Sequence, residues 1–372
     1  MKTLTWRLPS DYIGAGRFLL QPERVIVGTD YGVQCLPRKR SSGAGWKSRL
    51  GSRCVGLAAG EDGTTIASCV KGLFVLSEDG TERWGTDSLK DIVHEPVPFD
   101  GGILFMTSAS LHHVREWQGG VWRFDFADVL GSSVKGIRPV NLFVLDGHVV
   151  AGAVDYDSGI GCVVVLDAKN GRKLWVSEPG PVSDLFPAGQ AVFVRCQTGY
   201  GKFETRMTRL DGHEIWEKDF AGLGSVRPDG SLVMVVGSNE APTWDDWELR
   251  LVSNTGKVEL ELKGKGRCAV RPLVLKDGTI YFIGSALSVD LGGSRMDYTS
   301  FFAMPQEVTF KHLMDLKPTF PEYEVTLHRL RPGESALEVI YHATGSYSLA
   351  DLHHAGKEVI LCDGRDILAV EG

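Results

Sequence analysis

The chain has 372 residues, of which 43% are hydrophobic and 23% are charged, a composition typical of a folded globular protein. Its formal net charge of −7 at pH 7 opposes binding to polyphosphates and argues against nucleic acid as a direct partner. The 45 glycines indicate frequent tight turns and favour an all-β fold over one built from long helices.

The N-terminal segment carries Lys2 and Arg7 but no apolar run of the length found in signal peptides. No later segment is apolar over the length of a membrane-spanning helix. These features predict a cytoplasmic protein without membrane contact. The seven cysteines include no Cys-x-x-Cys pair, so we expect reduced, buried side chains and no zinc site.

The sequence contains a repeated unit. Its best copy is residues 163–175, which read as a strand, a turn closed by Gly171, and a second strand that carries Trp175. Each copy has an earlier turn, usually Asp-Gly, which supplies the positive φ that a tight hairpin requires. Two hairpin turns in each unit predict four strands, a to d, from the inner to the outer edge.

The tryptophan position recurs along the chain at intervals that are mostly near the 40–50 residues of a propeller blade. Leu260 and Leu337 occupy it in the sixth and seventh units. The chain ends in a third strand without a fourth and begins with a strand that bears Trp6. The sequence therefore predicts an all-β, eight-bladed β-propeller of four-stranded antiparallel blades. Residues 1–372 would form a single domain, with blade eight built from about 345–372 plus 1–9.

The Leu-Asp-Ala-x-x-Gly-x-x-x-Trp run at residues 166–175 resembles the repeat of the quinoprotein alcohol dehydrogenase-like superfamily, the PQQ-like repeat. The resemblance implies that one tryptophan per blade stacks over a turn of the neighbouring blade. The matching positions are Trp6, Trp46, Trp84, Trp122, Trp175 and Trp216. The secretion signal, longer chain and adjacent Cys-Cys pair of the dehydrogenases have no counterpart here, so we predict no quinone or other cofactor.

The loop between strands b and c is enlarged in blades four to seven, and blade seven has an insertion at about residues 285–322. Because extra backbone outside a closed ring serves another purpose, we expect these loops to bind a partner protein. The candidate partner-binding residues are Tyr156, Tyr200, Lys202, Trp244, Trp247, Arg295, Tyr298, Phe301 and Phe302. In the alternative, the insertion packs on the propeller and plugs its channel.

Two pairs of carboxylates lie in the same loops. Asp155 and Asp157 alternate as calcium ligands do, although further carboxylates are missing. Asp245 and Asp246 lie between tryptophans, as in many carbohydrate sites. All four are candidate ligand or calcium residues, while no catalytic residue and no metal centre is predicted.

These features favour a non-catalytic cytoplasmic β-propeller that serves as an interaction platform or subunit of a multi-protein assembly. The alternatives are a lyase or hydrolase that acts on carbohydrates or small molecules, and a ligand sensor. Two convergent carboxylates in a deep polar pocket would favour the enzyme, whereas a shallow aromatic surface would favour the platform.

Overall fold

The computed structural model describes residues 4–9, 18–38, 45–86, 89, 91–115, 119–131, 135–199, 202–219, 222–237, 246–265, 271–290, 295–297, 322–345, 351–355, 358–362 and 366–371. Almost all of these residues lie in strands or tight turns. No helix in these ranges is long and apolar enough to cross a membrane.

The described strands form eight antiparallel sheets, seven with four strands and one with four strands plus an added fifth, which confirms the predicted eight-bladed β-propeller. The first strand is β1 (Leu4–Pro9). Blade one contains β2 (Phe18–Leu20), β3 (Arg24–Thr29), β4 (Gly32–Pro37) and β5 (Lys47–Arg49). Blade two contains β6 (Cys54–Ala59), β7 (Thr65–Cys69), β8 (Gly72–Leu76) and β9 (Glu82–Thr86).

Blade three contains β10 (Val97–Phe99), β11 (Gly102–Met106), β12 (Ser110–Arg115) and β13 (Gly119–Asp125). One short helix, α1 (Ala127–Leu130), precedes blade four. Blade four contains β14 (Ile137–Leu145), β15 (His148–Asp155), β16 (Gly161–Asp167) and β17 (Lys173–Val176). Blade five contains β18 (Val182–Ala188), β19 (Ala191–Gly199), β20 (Lys202–Arg209) and β21 (Glu214–Lys218).

Blade six contains β22 (Leu223–Val226), β23 (Leu232–Gly237), β24 (Asp246–Val252) and β25 (Val258–Lys265). Blade seven contains β26 (Leu273–Val274), β27 (Ile280–Asp290), β29 (Glu322–Leu330) and β30 (Glu338–Gly345), and β28 (Arg295–Asp297) pairs with β27. Blade eight contains β31 (Asp351–Ala355), β32 (Glu358–Cys362) and β33 (Asp366–Glu371), and β1 pairs with β33 as its fourth strand.

The chain packs as two compact units. One unit contains Leu8–Thr198 and Glu204–Glu217, which includes blades one to four and most of blade five. The other contains Met1–Arg7, Gly199–Phe203 and Lys218–Gly372, which includes blades six to eight. The description of residues 1–372 as one domain stays a prediction.

Three Asp-Gly turns, which begin at Asp62, Asp100 and Asp146, have positive φ at both residues. Asp100 has a φ of 49° and Gly101 a φ of 65°, and Asp146 and Gly147 have φ values of 48° and 75°. Positive φ at both central residues matches the right-handed twist of the flanking strands. These turns therefore set the register of the inner hairpins.

The inner strands of blade four are apolar on both faces because this blade packs between blades three and five. Val149 and Ala151 of β15 belong to the cluster shared with blade three, whereas Val150 and Val154 pack against residues of blade five. Successive side chains of a strand point to opposite faces, so a strand covered on both sides loses the apolar-polar alternation. The core of each unit consequently lies between adjacent blades.

Candidate protein-binding site

Outer-strand tryptophans lie against the glycine turn of the following blade. Trp122 donates a hydrogen bond from Nε1 to the carbonyl oxygen of Ala168 over 3.1 Å. Its ring covers Gly171, where an added Cβ would lie 2.6 Å from Cδ2 of Trp122. The same arrangement joins Trp46 to Gly80 and Trp175 to Gly212. Each of these rings therefore couples one blade to the next.

Trp84, Trp216 and Trp6 are on outer strands. Trp84 packs against the apolar cluster that includes Ile103 and Phe105 of blade three. Trp216 is 7% exposed on β21. Trp6 is on β1, and its side chain lies outside the described part of the structure.

Blades six and seven compensate for the leucines at their tryptophan positions. Leu260 and Leu337 border an apolar cluster whose largest member is Trp247. The Trp247 ring contacts Phe282 edge to face at a centroid distance of 4.8 Å, and it lies 5.2 Å from the His328 ring. An aromatic group from strand c thus fills the space between these blades.

Trp247 is therefore not the surface residue that its predicted loop implied. It is 3% exposed, because β24 begins at Asp246 and the next side chain points into the core. Gly264 is directly opposite on β25, and it leaves room for the indole ring because it has no side chain. A partner cannot reach this ring in the folded protein.

In the described residues, strands b and c of blades five and seven are longer than those of blade two. In blade two β7 and β8 have five residues each, whereas β19 and β20 of blade five have nine and eight. Strands β27 and β29 of blade seven have eleven and nine. Part of the extra length of these two blades is therefore strand.

The blade-four hairpin ends in an exposed apolar tip. Tyr156 is 63% exposed and Ile160 is 47% exposed. Asp155 is 8% exposed, and its Oδ2 accepts hydrogen bonds from the backbone N and the Oγ of Ser158, at 3.0 and 2.6 Å. These hydrogen bonds from Ser158 hold the pKa of Asp155 below its usual value. The carboxylate thereby stabilises the turn that presents Tyr156.

Of the four candidate ligand carboxylates, the structure describes those of Asp155 and Asp157. Asp155 is engaged with Ser158, while Asp157 is exposed on the turn. Asp245 and the side chain of Asp246 are outside the described residues. Within the described ranges, no group of three or more His, Cys, Asp or Glu side chains could hold a metal ion.

A cleft of about 490 Å³ lies between the outer strand of blade four and blade five. Its walls are the segment from Trp175 to Val182 and side chains of β19 and β20 that include Cys196 and Thr198. The cleft adjoins the hairpin tip, because Gly161 and Gly180 exchange backbone hydrogen bonds of 2.7 and 2.8 Å. The exposed Ile160 is the residue before Gly161.

The cleft is acidic. Glu178, Glu204 and Glu214 line it, and Arg206 is its only lining residue with a basic side chain. Arg206 is already paired, with Glu204 at 3.2 Å and with Glu217 at 2.7 Å. Although partial burial opposes its charged form, the negative charges of Glu217 and Glu204 raise the pKa of the Arg206 guanidinium. The surplus negative charge favours a ligand with basic groups.

For the candidate partner-binding residues other than Tyr156 and Trp247, the structure does not describe the side chains. Tyr200, Trp244, Tyr298, Phe301 and Phe302 lie outside the described residues. Lys202 begins β20 and Arg295 begins β28, but their side chains are not described. Of the predicted set, Tyr156 is the member whose exposed side chain is described, on the blade-four turn next to Gly136.

Sequence reasoning missed the cleft residues. Glu204, Arg206 and Thr208 alternate along β20 and therefore share one face of the strand. That period of two is visible in the sequence, as are Pro179 and Pro181 in the linker. Only the packing of blade five beside blade four brings the two segments together.

Residues 70–301 match the protein family described as outer membrane protein assembly factor BamB. The match covers more than half of the chain. The chain belongs to this family. Membership confirms the PQQ-like repeat and leaves the likeness to alcohol dehydrogenases as a prediction.

Individual relatives agree with this assignment. The outer membrane protein assembly factor BamB of Burkholderia pseudomallei (strain K96243) is 26% identical over 259 residues, which are 63% of this chain and 62% of that protein. The match thus spans less than two thirds of that relative's length.

Solved structures share the fold. BamB from Moraxella catarrhalis superposes with a TM-score of 0.64 at 13% identity, over 100% of this chain and 98% of that one. The Dos1 propeller gives a TM-score of 0.63 at 9% identity, over 100% and 95% of the two chains. The WD40 domain of SCAP from fission yeast gives 0.56 at 11% identity, over 98% of each. At these identities the likeness establishes the β-propeller fold alone.

The predicted cytoplasmic location is wrong. The prediction depended on the absence of an apolar leader and of membrane-spanning segments. These absences are weaker evidence than the match to an outer membrane assembly family. The matched family and the Burkholderia relative are named for outer membrane protein assembly. The associated prediction of no membrane contact loses its support for the same reason.

Proposed function

We propose that this chain is a non-catalytic, protein-binding β-propeller that acts in outer membrane protein assembly as part of a multi-protein complex. Membership of the BamB family supports the general role. The observation that carries the site is the exposed pair Tyr156 and Ile160 beside an acidic cleft. Exposed aromatic groups next to a concave surface are typical of binding hot spots.

The chemistry of the cleft indicates what it binds. The linker beside Pro179 and Pro181 provides an apolar wall, and three carboxylates line the cleft against one guanidinium, that of Arg206. A volume of about 490 Å³ accommodates a few side chains and not a folded domain. We therefore propose an extended polypeptide segment with apolar and basic residues as the ligand, with the Tyr156 ring packing on its apolar side chains.

The test measures binding of a labelled outer membrane barrel protein, diluted from urea, to the purified chain by fluorescence anisotropy. The double variant Tyr156→Ala, Ile160→Ser should bind at least about tenfold more weakly, since truncated hot-spot residues each cost more than about 1 kcal/mol. Thermal unfolding should be unchanged because both side chains are exposed.

Tyr31→Ala provides the matched control. Tyr31 is 75% exposed on the turn between β3 and β4 of blade one, remote in sequence from the cleft. This variant should bind like the parent chain. Equal affinity of the parent, the control and the double variant would remove the hairpin tip from the proposed site.

The proposal includes a second contact surface at the blade-seven insertion, with Arg295, Tyr298, Phe301 and Phe302. Its support is the mixture of aromatic and basic residues in a long insertion. A chain without residues 291–318 should lose affinity in the same assay while it keeps the blade-four contact. Unchanged affinity would favour the alternative in which the insertion packs on the propeller.

A further inference from the structure

Two cysteines face each other in blade two. Cys54 begins β6 and Cys69 ends β7, and the two residues are register partners in the antiparallel pair. Both are 0% exposed. They belong to the apolar cluster that blade one and blade two share.

Their backbone geometry brings the thiols together. The backbone N of Val70 donates to the carbonyl oxygen of Arg53 over 3.0 Å, so the residues that flank the pair are hydrogen-bonded to each other. Cys54 and Cys69 therefore occupy a non-hydrogen-bonded pair, where Cα atoms are only about 4.5 Å apart. That separation falls within the range that a disulfide spans.

The side chains are in contact in the reduced form. The Cys54 thiol lies 3.3 Å from the carbonyl oxygen of Gly56. A hydrogen bond with Cys54, together with burial, raises the pKa of Cys69. A thiol in this environment is slow to react as a thiolate in the folded protein. Bond formation is thus expected while the hairpin folds.

The other cysteines in the described strands have no cysteine opposite them. Their register partners include Ile26 for Cys35, Ala153 for Cys162, Val182 for Cys196, and Asp351 and Ile367 for Cys362. The Cys54–Cys69 pairing is consequently specific to one hairpin.

We propose that Cys54 and Cys69 form a cross-strand disulfide that locks the β6–β7 hairpin of blade two when the chain folds in an oxidising environment. Each thiol gives up a proton, one sulfur–sulfur bond forms, and the two electrons reduce a donor disulfide to two thiols. The donor is a small-molecule or protein disulfide. That the chain meets such a donor in the cell rests on the proposed function outside the cytoplasm.

The test uses the whole purified chain, refolded from denaturant with oxidised glutathione and, in parallel, with a strong thiol reductant. Trypsin cleaves after Arg53 and Lys71, so both cysteines fall in one peptide, residues 54–71. After alkylation, the oxidised sample should yield this peptide unalkylated and lighter by two hydrogen atoms. The reduced sample should yield it with two alkyl groups.

Thermal unfolding provides the second readout. Closing a loop of this length should raise the melting temperature of the oxidised chain by roughly 3 to 8 °C over the reduced chain. Cys54→Ser should abolish this difference. Cys162→Ser, at an equally buried cysteine of blade four, should preserve it.

Two results would overturn the proposal. Full alkylation of both cysteines after oxidative refolding is the first, and a disulfide that links residues 54–71 to the separate tryptic peptide with Cys35 is the second. Neither depends on a partner. Failure here would leave the proposed binding function untouched, and failure of the binding assay would leave this pairing untouched.

Discussion

At the scale of the residue, glycine in the repeat turn meets two separate demands. Gly171 has a φ of 70°, which a side chain resists, and the Trp122 ring occupies the position of its missing Cβ. The hydrogen bond from Trp122 to Ala168 holds the ring in that place. A Cβ atom at position 171 would therefore disfavour both the turn conformation and the contact with the Trp122 ring.

Gly171→Ala should lower the free energy of unfolding by roughly 2 to 4 kcal/mol, measured by urea denaturation. The left-handed conformation costs about 1 to 2 kcal/mol for alanine, and displacement of the Trp122 ring adds to it. Gly189→Ala isolates the first cost, since Gly189 has a φ of 64° and an added Cβ would contact nothing within 4 Å. Equal losses for the two variants would contradict a role for the ring.

At the scale of the element, β24, β27 and β29 place three rings in one cluster between blades six and seven. The His328 ring stacks on Phe282 at a centroid distance of 4.8 Å and an angle of 16°. Burial lowers the pKa of His328 to about 4. The cluster is therefore stable with a neutral imidazole and is weakened when that ring gains a proton.

Stability should fall as the pH drops from about 6.5 towards 4, because the unfolded chain binds the His328 proton more readily than the folded chain. One pKa unit corresponds to about 1.4 kcal/mol, so we expect a loss of roughly 2 kcal/mol after allowance for partial exposure. His328→Phe should reduce the slope of unfolding free energy against pH.

Phe282→Leu is the control for this experiment, because it removes the stacked ring and keeps the imidazole. It should lower stability at every pH without removing the slope. A parent chain and a His328→Phe variant with parallel pH profiles would show that the imidazole is not the titrating group.

At the scale of the whole molecule, the first strand completes the last sheet. Strand β1 pairs with β33, so the fourth strand of blade eight comes from the opposite end of the chain. A sheet edge without its partner presents a row of unsatisfied backbone groups. Pairing of this kind joins distant parts of the sequence and removes that edge.

Deletion of residues 1–9 should expose β33 and produce a chain that unfolds at lower urea concentration and self-associates in size-exclusion chromatography. Deletion of residues 1–3, which leaves β1 in place, is the control and should behave like the parent. Identical midpoints and elution volumes for both deletions would contradict a stabilising role for the strand.

The sequence by itself determined the repeat, the strand order within each blade and the completion of blade eight by β1. These follow from local rules: Asp-Gly turns favour hairpins, and a tryptophan four residues after a glycine marks the outer strand in the best copies of the repeat. The tertiary structure alone decided which side chains remain accessible. Trp247 and Tyr156 look alike as aromatic residues of long connections, yet one is 3% and the other 63% exposed.

The same reason explains the cleft and the cysteine pair. Glu204 and Pro179 lie in different elements and share no local sequence pattern, yet both line the cleft. Cys54 becomes the register partner of Cys69 only because a bulge between Cys54 and Gly56 shifts the pairing of β6 with β7. Local patterns determine backbone conformation because φ, ψ and side-chain alternation act between near neighbours. Contacts between blades and across strands depend on register and packing, which the whole fold determines.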